Sequence, residues 1–259
     1  MNQIKVCLVV PHYNHIANLA AFLPKLMAVG LPCIVVDDGS DAVSNQQLHA
    51  LLNERSKRST DQIDLIEHAH NQGKGAAVLS GINHARNTGY SHVIQIDADG
   101  QHDVQDIDLF IKYCRANPEH IVSGAPRFDS SAPKSRVYGR KVTNFWVAIE
   151  TLSLGIKDSL CGFRAYPLKP LKHLTENYQL GTRMDFDTEI LVKAVWARIT
   201  IHFISTNVIY PNDSVSHFNY LRDNFVLIGL HVRLILGMLI RLPKLIIWRI
   251  SGNRAVSTK

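Results

Sequence analysis

Short apolar runs rich in β-branched residues recur along the first half of this chain. Each is followed by a polar or glycine-bearing loop and then by a segment with helical spacing. Strands are predicted at 4–10, 31–36 and 63–67, with a fourth beginning at 93 and a fifth at 121–124. Helices are predicted at 18–27, 46–52, 74–88 and 106–115. The repeat of roughly 25 to 30 residues is that of βαβ units, so the fold class is α/β with a Rossmann-like, mostly parallel central sheet flanked by helices. In such a sheet every strand-to-helix loop lies at one edge. Asn14, Asp37, Asp38, Lys74, Asp97 and Asp99 can therefore converge although they are far apart in sequence.

The most informative of these loops closes the fourth strand, in the stretch V-I-Q-I-D-A-D-G-Q-H at 93–102. Two carboxylates one residue apart at the end of an apolar strand repel each other and are costly without a cation. A divalent ion held by Asp97 and Asp99, with Gln101 adding an oxygen, relieves that cost. An all-oxygen set points to Mg²⁺ or Mn²⁺ rather than Zn²⁺. His102 reads as a structural neighbour of this group.

Other motifs supply complementary chemistry. D-D-G-S at 37–40 is either a turn or a place where a carboxylate meets a base or a ribose hydroxyl. N-Q-G-K-G at 71–75 lacks the spacing of an ATPase phosphate loop. Its Lys74 opens a helix, where the dipole disfavours a cation, so an anion nearby accounts for it best. Arg127, beyond the fifth strand, and Arg164, in C-G-F-R, are forked donors suited to a diphosphate. Asp185, Asp187 and Glu189 flank a late helix start, with Asp187 the closest to chemistry.

The 259 residues suffice for one large core, and 46% hydrophobic with 19% charged residues is a folded composition. Four scattered cysteines form no short-spaced pair, which suits a reducing compartment. The N-terminus enters a strand directly, so no signal peptide is expected. From 222 to 259 seven basic residues oppose one acid, Asp223, which accounts for the whole net charge of +6. That segment mixes its charges with Leu and Ile, and no run of eighteen uncharged apolar residues occurs in it. Pro243 is expected to split it into two amphipathic helices lying on an anionic membrane surface, with an oligomer interface as the alternative use. Nucleic acid is not expected as a partner. Two parts are read: 1–221 as the catalytic domain and 222–259 as a basic helical tail. Residues 129–140 read as a mobile loop and 142–154 as a helix.

In combination and order, V-P-H-Y-N, V-V-D-D-G-S, N-Q-G-K-G-A-A, I-D-A-D-G-Q-H, the Arg127 after the fifth strand, C-G-F-R-A and F-D-T-E-I resemble the family 2 glycosyltransferases of GT-A fold. Within them the chain looks most like the dolichyl- or polyprenyl-phosphate mannose and glucose synthases. The resemblance covers about residues 4–218. It implies an inverting, metal-dependent enzyme with a nucleoside-diphosphate sugar donor. Pro11, Tyr13 and Asp38 would line the nucleoside, Asp97, Asp99 and Gln101 would hold Mg²⁺ or Mn²⁺, and Arg127 would meet the diphosphate. His15 stands where an acidic residue is common, G-Q-H-D replaces L-Q-H-P, and S-H-F at 216–218 replaces a basic S-K pair. His217 is then the candidate for an acceptor phosphate.

These readings anticipate a lipid-linked acceptor, either a polyprenyl phosphate or a glycolipid, used at the cytoplasmic face of a membrane. A lipid phosphate needs positioning by Arg164 or His217, whereas a hydroxyl needs a base such as Asp187. Two other classes are weighed. A metal-dependent nucleotidyltransferase would want a glycine-rich phosphate loop where P-H-Y-N stands, and a non-catalytic sugar-nucleotide scaffold would not need the full set of acids.

Overall fold

The computed structural model describes residues 4–56, 62–127, 134–208, 220–251 and 255–256. Seven strands form one sheet: β1 (Val6–His12), β2 (Cys33–Asp37), β3 (Ile63–Glu67), β4 (His92–Gln95), β5 (Ile121–Arg127), β6 (Arg164–Pro167) and β7 (Ile201–Asn207). Their spatial order is β3-β2-β1-β4-β6-β5-β7. Every pairing is parallel except those of β6, which runs antiparallel to both β4 and β5. The mostly parallel α/β sheet read from the sequence is thus present.

The reversed strand matters for function. Because β6 is antiparallel, its first residue, Arg164, lies beside Gln95, where β4 ends, and beside Ser123 within β5. The loop that carries Cys161 and Gly162 is thereby delivered to the same edge as the D-A-D tip. Chain order reverses between β1 and β4, and the crevice beyond that switch is where an open α/β sheet binds its ligands.

Helices cover both faces. On one side α1 (Ile16–Met27), α2 (Ala42–Ser56) and α4 (Asp106–Ala116) bury Leu19, Leu23, Leu48 and Phe110 against Leu8, Val10 and Ile94. On the other, α3 (Lys74–Asn87), α5 (Lys134–Thr151), α6 (Leu168–Asn177), α7 (Phe186–Trp196) and α8 (Tyr220–Ile250) pack around Cys7, Val9, Phe186 and Leu191. The assignment of Leu8 and Val10 to one core and Cys7 and Val9 to the other is the period-two alternation of a strand covered on both faces.

Two expectations are corrected. The polar stretch 134–140, read as part of a mobile loop, is the first two turns of α5; 128–133 lie outside the described residues. Nor does Pro243 divide the C-terminal segment, since α8 runs through it. Leu239 and Pro243 lie on the exposed side of the helix, so the carbonyl deprived of its donor does not face the core. Meanwhile Leu230, Leu234, Met238 and Leu245 stay buried on the opposite side and hold both halves in line. Because it is continuous, Val226–Ile250 is long and apolar enough to cross a membrane by length and composition.

α8 is tied to the body by a buried pair. His231 Nδ1 lies 2.7 Å from Glu150 Oε1 of α5, and the Glu150 side chain is fully enclosed. Arg249 donates to the Thr151 carbonyl (3.1 Å), and the Arg241 guanidinium covers the Trp196 ring at 4.8 Å. Burial raises the Glu150 pKa above the usual 4.5, partly offset by the bond to His231. The folded state therefore favours protonated Glu150, and its penalty appears as pH rises through the raised value. Glu150→Gln should match or exceed the parent's stability at pH 8 and lose that advantage below pH 4.5. His231→Ala should cost about 1–3 kcal/mol in urea denaturation, because a buried acceptor loses its donor. A Glu150→Gln variant weaker than the parent at pH 8 would contradict this assignment.

Candidate active site

The loops after β1 and β2 are stitched to each other by the polar residues that the sequence offered as ligands. Asp37 is buried and accepts from Ser40 N–H (3.1 Å) and Ser40 Oγ (2.5 Å), with His12 Nδ1 at 2.8 Å. Burial pushes its pKa up, but these hydrogen bonds outweigh burial and the net shift is downward. Asn14 takes a left-handed φ of 53°, receives Asp41 N–H on Oδ1 (2.9 Å) and donates its own N–H to Ser40 Oγ (2.9 Å). Asp38 accepts the N–H groups of Gln72 (3.0 Å) and Gly73 (2.7 Å) and pairs with His68 Nδ1 at 2.7 Å. Both carboxylates thus shape loops, and Asp38 fixes the one that carries Lys74. Pro11 is half-buried in this group, and Tyr13 presents an exposed ring.

At the centre, Lys74 joins two carboxylates. Its Nζ lies 2.8 Å from Asp97 Oδ2 and 2.9 Å from Asp187 Oδ2. Burial works against the ammonium, but Asp187 and Asp97 more than compensate and raise its pKa. Gly73, at φ 107°, makes the turn before α3, and a Cβ there would strike the Thr182 carbonyl. Gly162 closes over the pair from the loop before β6: a Cβ there would stand 2.6 Å from Lys74 Nζ and 2.7 Å from Asp97 Oδ2.

Asp187 is held from behind. Gln95 Nε2 donates to its Oδ1 (3.3 Å), and Tyr166 Oη donates to Gln95 Oε1 (3.2 Å). Burial would raise the Asp187 pKa, yet Lys74, Arg164 and Gln95 pull it below the usual carboxylate range. Arg164, read from the sequence as a diphosphate or acceptor partner, is entirely buried. It donates to Ser123 Oγ (3.2 Å), the Ser159 carbonyl (2.8 Å) and the Asp187 carbonyl. It holds the start of α7 and the 158–163 loop in register and acts as a positioning residue.

Of the acids around the start of α7, only Asp187 joins this centre. Asp185 accepts Arg183 N–H (3.1 Å) and faces Arg233 of α8 (3.4 Å). Glu189 pairs with Lys193 at 2.6 Å and accepts the Gly181 N–H. These groups line a separate 460 Å³ cavity between α7 and α8.

The D-A-D tip has room for a cation. Asp97 Oδ1 is buried and has no hydrogen-bond partner, which fits a metal ligand. Asp99 Oδ1 receives the Gln101 N–H (3.0 Å), which ties Asp99 into the turn after β4. Among the described residues no group of three or more His, Cys, Asp and Glu side chains converges on one point. Any ion here would therefore depend on oxygens from elsewhere. His102 rests against Phe163 with ring centroids 5.1 Å apart, and burial lowers its pKa to about 4, which keeps it neutral.

Beyond the ends of β5 and β7 lies a 350 Å³ cavity that the sequence reading missed. Arg127, Arg140, Lys141 and Lys157 line it, with Asp158 as its acid. Arg140 grips Asp158 through two bonds of 2.7 and 2.6 Å, and Arg127 Nε donates to Ser205 Oγ (2.5 Å). The signal was present as G-R-K at 139–141, but it is legible only once 134–140 is seen to be helical. His217 lies outside the described residues.

Comparison with known proteins gives this arrangement a family. The model described as glycosyl transferase family 2 matches residues 7–175. The chain belongs to that family. Within this glycosyltransferase family, its relatives include a dolichyl-phosphate β-glucosyltransferase of Trichomonas vaginalis, 30% identical over 78% of this chain and 65% of that protein. The chain thus spans slightly less than two thirds of that relative's own length. A UDP-N-acetylglucosamine–dolichyl-phosphate N-acetylglucosaminyltransferase of Methanococcus voltae is 26% identical over 88% of this chain and 92% of its own. Among solved structures, glucosyl-3-phosphoglycerate synthase of Mycobacterium tuberculosis in complex with UDP aligns with a TM-score of 0.60 at 14% identity. That alignment covers 91% of this chain and 80% of the synthase. A mannosyltransferase from Pyrobaculum calidifontis, in complex with GDP-Man and Mn²⁺, aligns at 0.58 and 17% identity, over 93% and 65%. These likenesses establish the fold as that of GT-A glycosyltransferases.

The buried position of Arg164 makes a stability prediction. Arg164→Met strips two carbonyls and a hydroxyl of their donor and removes one of the two cations that face Asp187, leaving Lys74 as the other. Urea denaturation should show a loss of about 3–5 kcal/mol; a loss below about 1 kcal/mol would place the guanidinium outside the framework.

Proposed function

We propose that this chain transfers a sugar, with inversion, from a nucleoside-diphosphate sugar to a lipid-linked phosphate at a membrane face. The observation that carries this reading is the pairing of two features at one edge of the sheet: the Asp97–Lys74–Asp187 centre and the pocket in which four cations face one acid. The dolichyl-phosphate transferases among the relatives support the same acceptor class.

In this reading Tyr13 offers its exposed ring to the base, with Pro11 and the Asn14, Asp37 and Asp38 loops framing the nucleoside. Asp97, Asp99 and Gln101 would hold Mg²⁺ or Mn²⁺, and the orphaned Asp97 oxygen suits that role. When bound, such an ion neutralises charge growing on the departing diphosphate.

The basic pocket bears on the choice of acceptor. Asp187 is pinned by Lys74 and Gln95 with its pKa depressed, which makes it a poor base for removing a hydroxyl proton. A lipid phosphate needs none, since its second pKa is about 6 and it is already anionic at neutral pH. Arg127, Arg140, Lys141 and Lys157 would position it, in place of Arg164, which is walled in.

The membrane contact is read on α8 and α5. Ile228, Val232, Leu236, Ile240, Ile247 and Ile250 fall on one exposed arc of α8, opposite the buried stripe, while Phe145 and Trp146 are exposed on α5. Arg233 and Lys244 border that arc, where they can reach lipid phosphates.

The test is a panel of UDP- and GDP-sugars with Mn²⁺ and vesicles containing polyprenyl phosphate, read as labelled sugar partitioning into organic solvent. Transfer to the lipid phosphate is expected, with Asp99→Ala lowering the rate at least about 100-fold while the fold is kept. Lys141→Ala and Lys157→Ala should raise the acceptor KM more than the donor KM. Donor hydrolysis without lipid product, or full activity in Asp99→Ala, would contradict the proposal.

A further inference from the structure

Lys74 is placed against the preference of its own helix. It opens α3, where the dipole repels a cation, and its ammonium sits between two carboxylates. The site is also built around it. Gly162 lies so close that any side chain there would push into both Nζ and Asp97 Oδ2. Asp38 accepts the Gln72 and Gly73 N–H groups and so fixes the backbone immediately before Lys74.

The bonding at each carboxylate is unequal. Lys74 takes one oxygen of Asp97 and one of Asp187. The second Asp187 oxygen is met by Gln95, whereas the second Asp97 oxygen is buried and unpartnered. Asp97 therefore has a single oxygen left to offer, and it offers it a few ångströms from a fixed positive charge. A bare divalent cation arriving there would meet that repulsion in a poorly solvated place, where charges are weakly screened.

We propose that Lys74 is a resident counter-cation that holds back a free divalent ion and makes metal retention depend on the diphosphate of the donor. This rests on the reading of Asp97 and Asp99 as metal ligands. The diphosphate brings the negative charge and the oxygens that the protein site lacks, so donor and metal load together. Without a donor, Lys74 keeps Asp97 and Asp187 compensated and the edge of the sheet intact.

The test is Mn²⁺ titration followed by the electron paramagnetic resonance signal of the free ion, at fixed ionic strength. It compares the parent chain, Lys74→Met, and the Lys74→Met, Asp187→Asn double variant, which removes both members of the buried pair and guards against a single variant that fails to fold. Each is measured alone, with UDP and with GDP. Without nucleotide, the variants should bind Mn²⁺ at least about tenfold more tightly than the parent, and the gain on adding nucleotide should shrink accordingly. If the parent binds Mn²⁺ with nucleotide but the variants bind the bare ion no better than the parent does, the counter-cation role is overturned and the metal site stands. If no protein binds Mn²⁺ under any condition, both fall.

Discussion

The ammonium of Lys74, bonded to Asp97 and Asp187, is the contact on which the rest of this edge depends. Three separate parts of the chain meet there: the loop opening α3, the tip of β4 and the start of α7. Each brings a charge that would be expensive to bury alone. Together they compensate one another, and the surrounding framework is arranged to keep them in contact. Asp38 secures the backbone before Lys74, Gln95 and Arg164 secure Asp187, and Gly162 leaves the space that the ammonium fills.

The reversed strand explains how so many polar groups reach one place. Were β6 parallel to its neighbours, Arg164 and the Gly162 loop would lie at the opposite end of the sheet, far from Asp97. Antiparallel pairing puts Arg164 level with Gln95 and Ser123, so a fully buried guanidinium can serve two elements at once. A buried arginine of this kind contributes little net stability, but its removal leaves unpaired partners. Its value is positional: it fixes where α7 begins and therefore where Asp187 stands.

Much of this was legible in the residues. The third strand was bounded correctly at Ile63–Glu67, and the D-A-D and N-Q-G-K loops were placed at one edge by topology alone, since parallel strands must end there. What escaped was tertiary. Local composition made 134–140 look like a loop, although it forms the first turns of α5, on which Arg140 lines a cavity and Tyr138 is exposed. Pro243 signalled a break, yet packing of Leu230, Leu234, Met238 and Leu245 on one face carries α8 through it. Arg164 looked like a ligand-binding arginine, and only the antiparallel register reveals that it is enclosed. Of Asp185, Asp187 and Glu189 the sequence favoured Asp187 without showing its partner; the helix start turns only Asp187 toward Lys74.

The sugar-transfer reading requires the tip of β4 to be where donor and metal meet. Anomalous diffraction from crystals grown with Mn²⁺ and UDP or GDP tests this directly. The account predicts a manganese peak beside Asp97 and Asp99, with the nucleotide's diphosphate next to it and its base near Tyr13. A nucleotide lodged elsewhere, or manganese bound away from those two carboxylates, would contradict it.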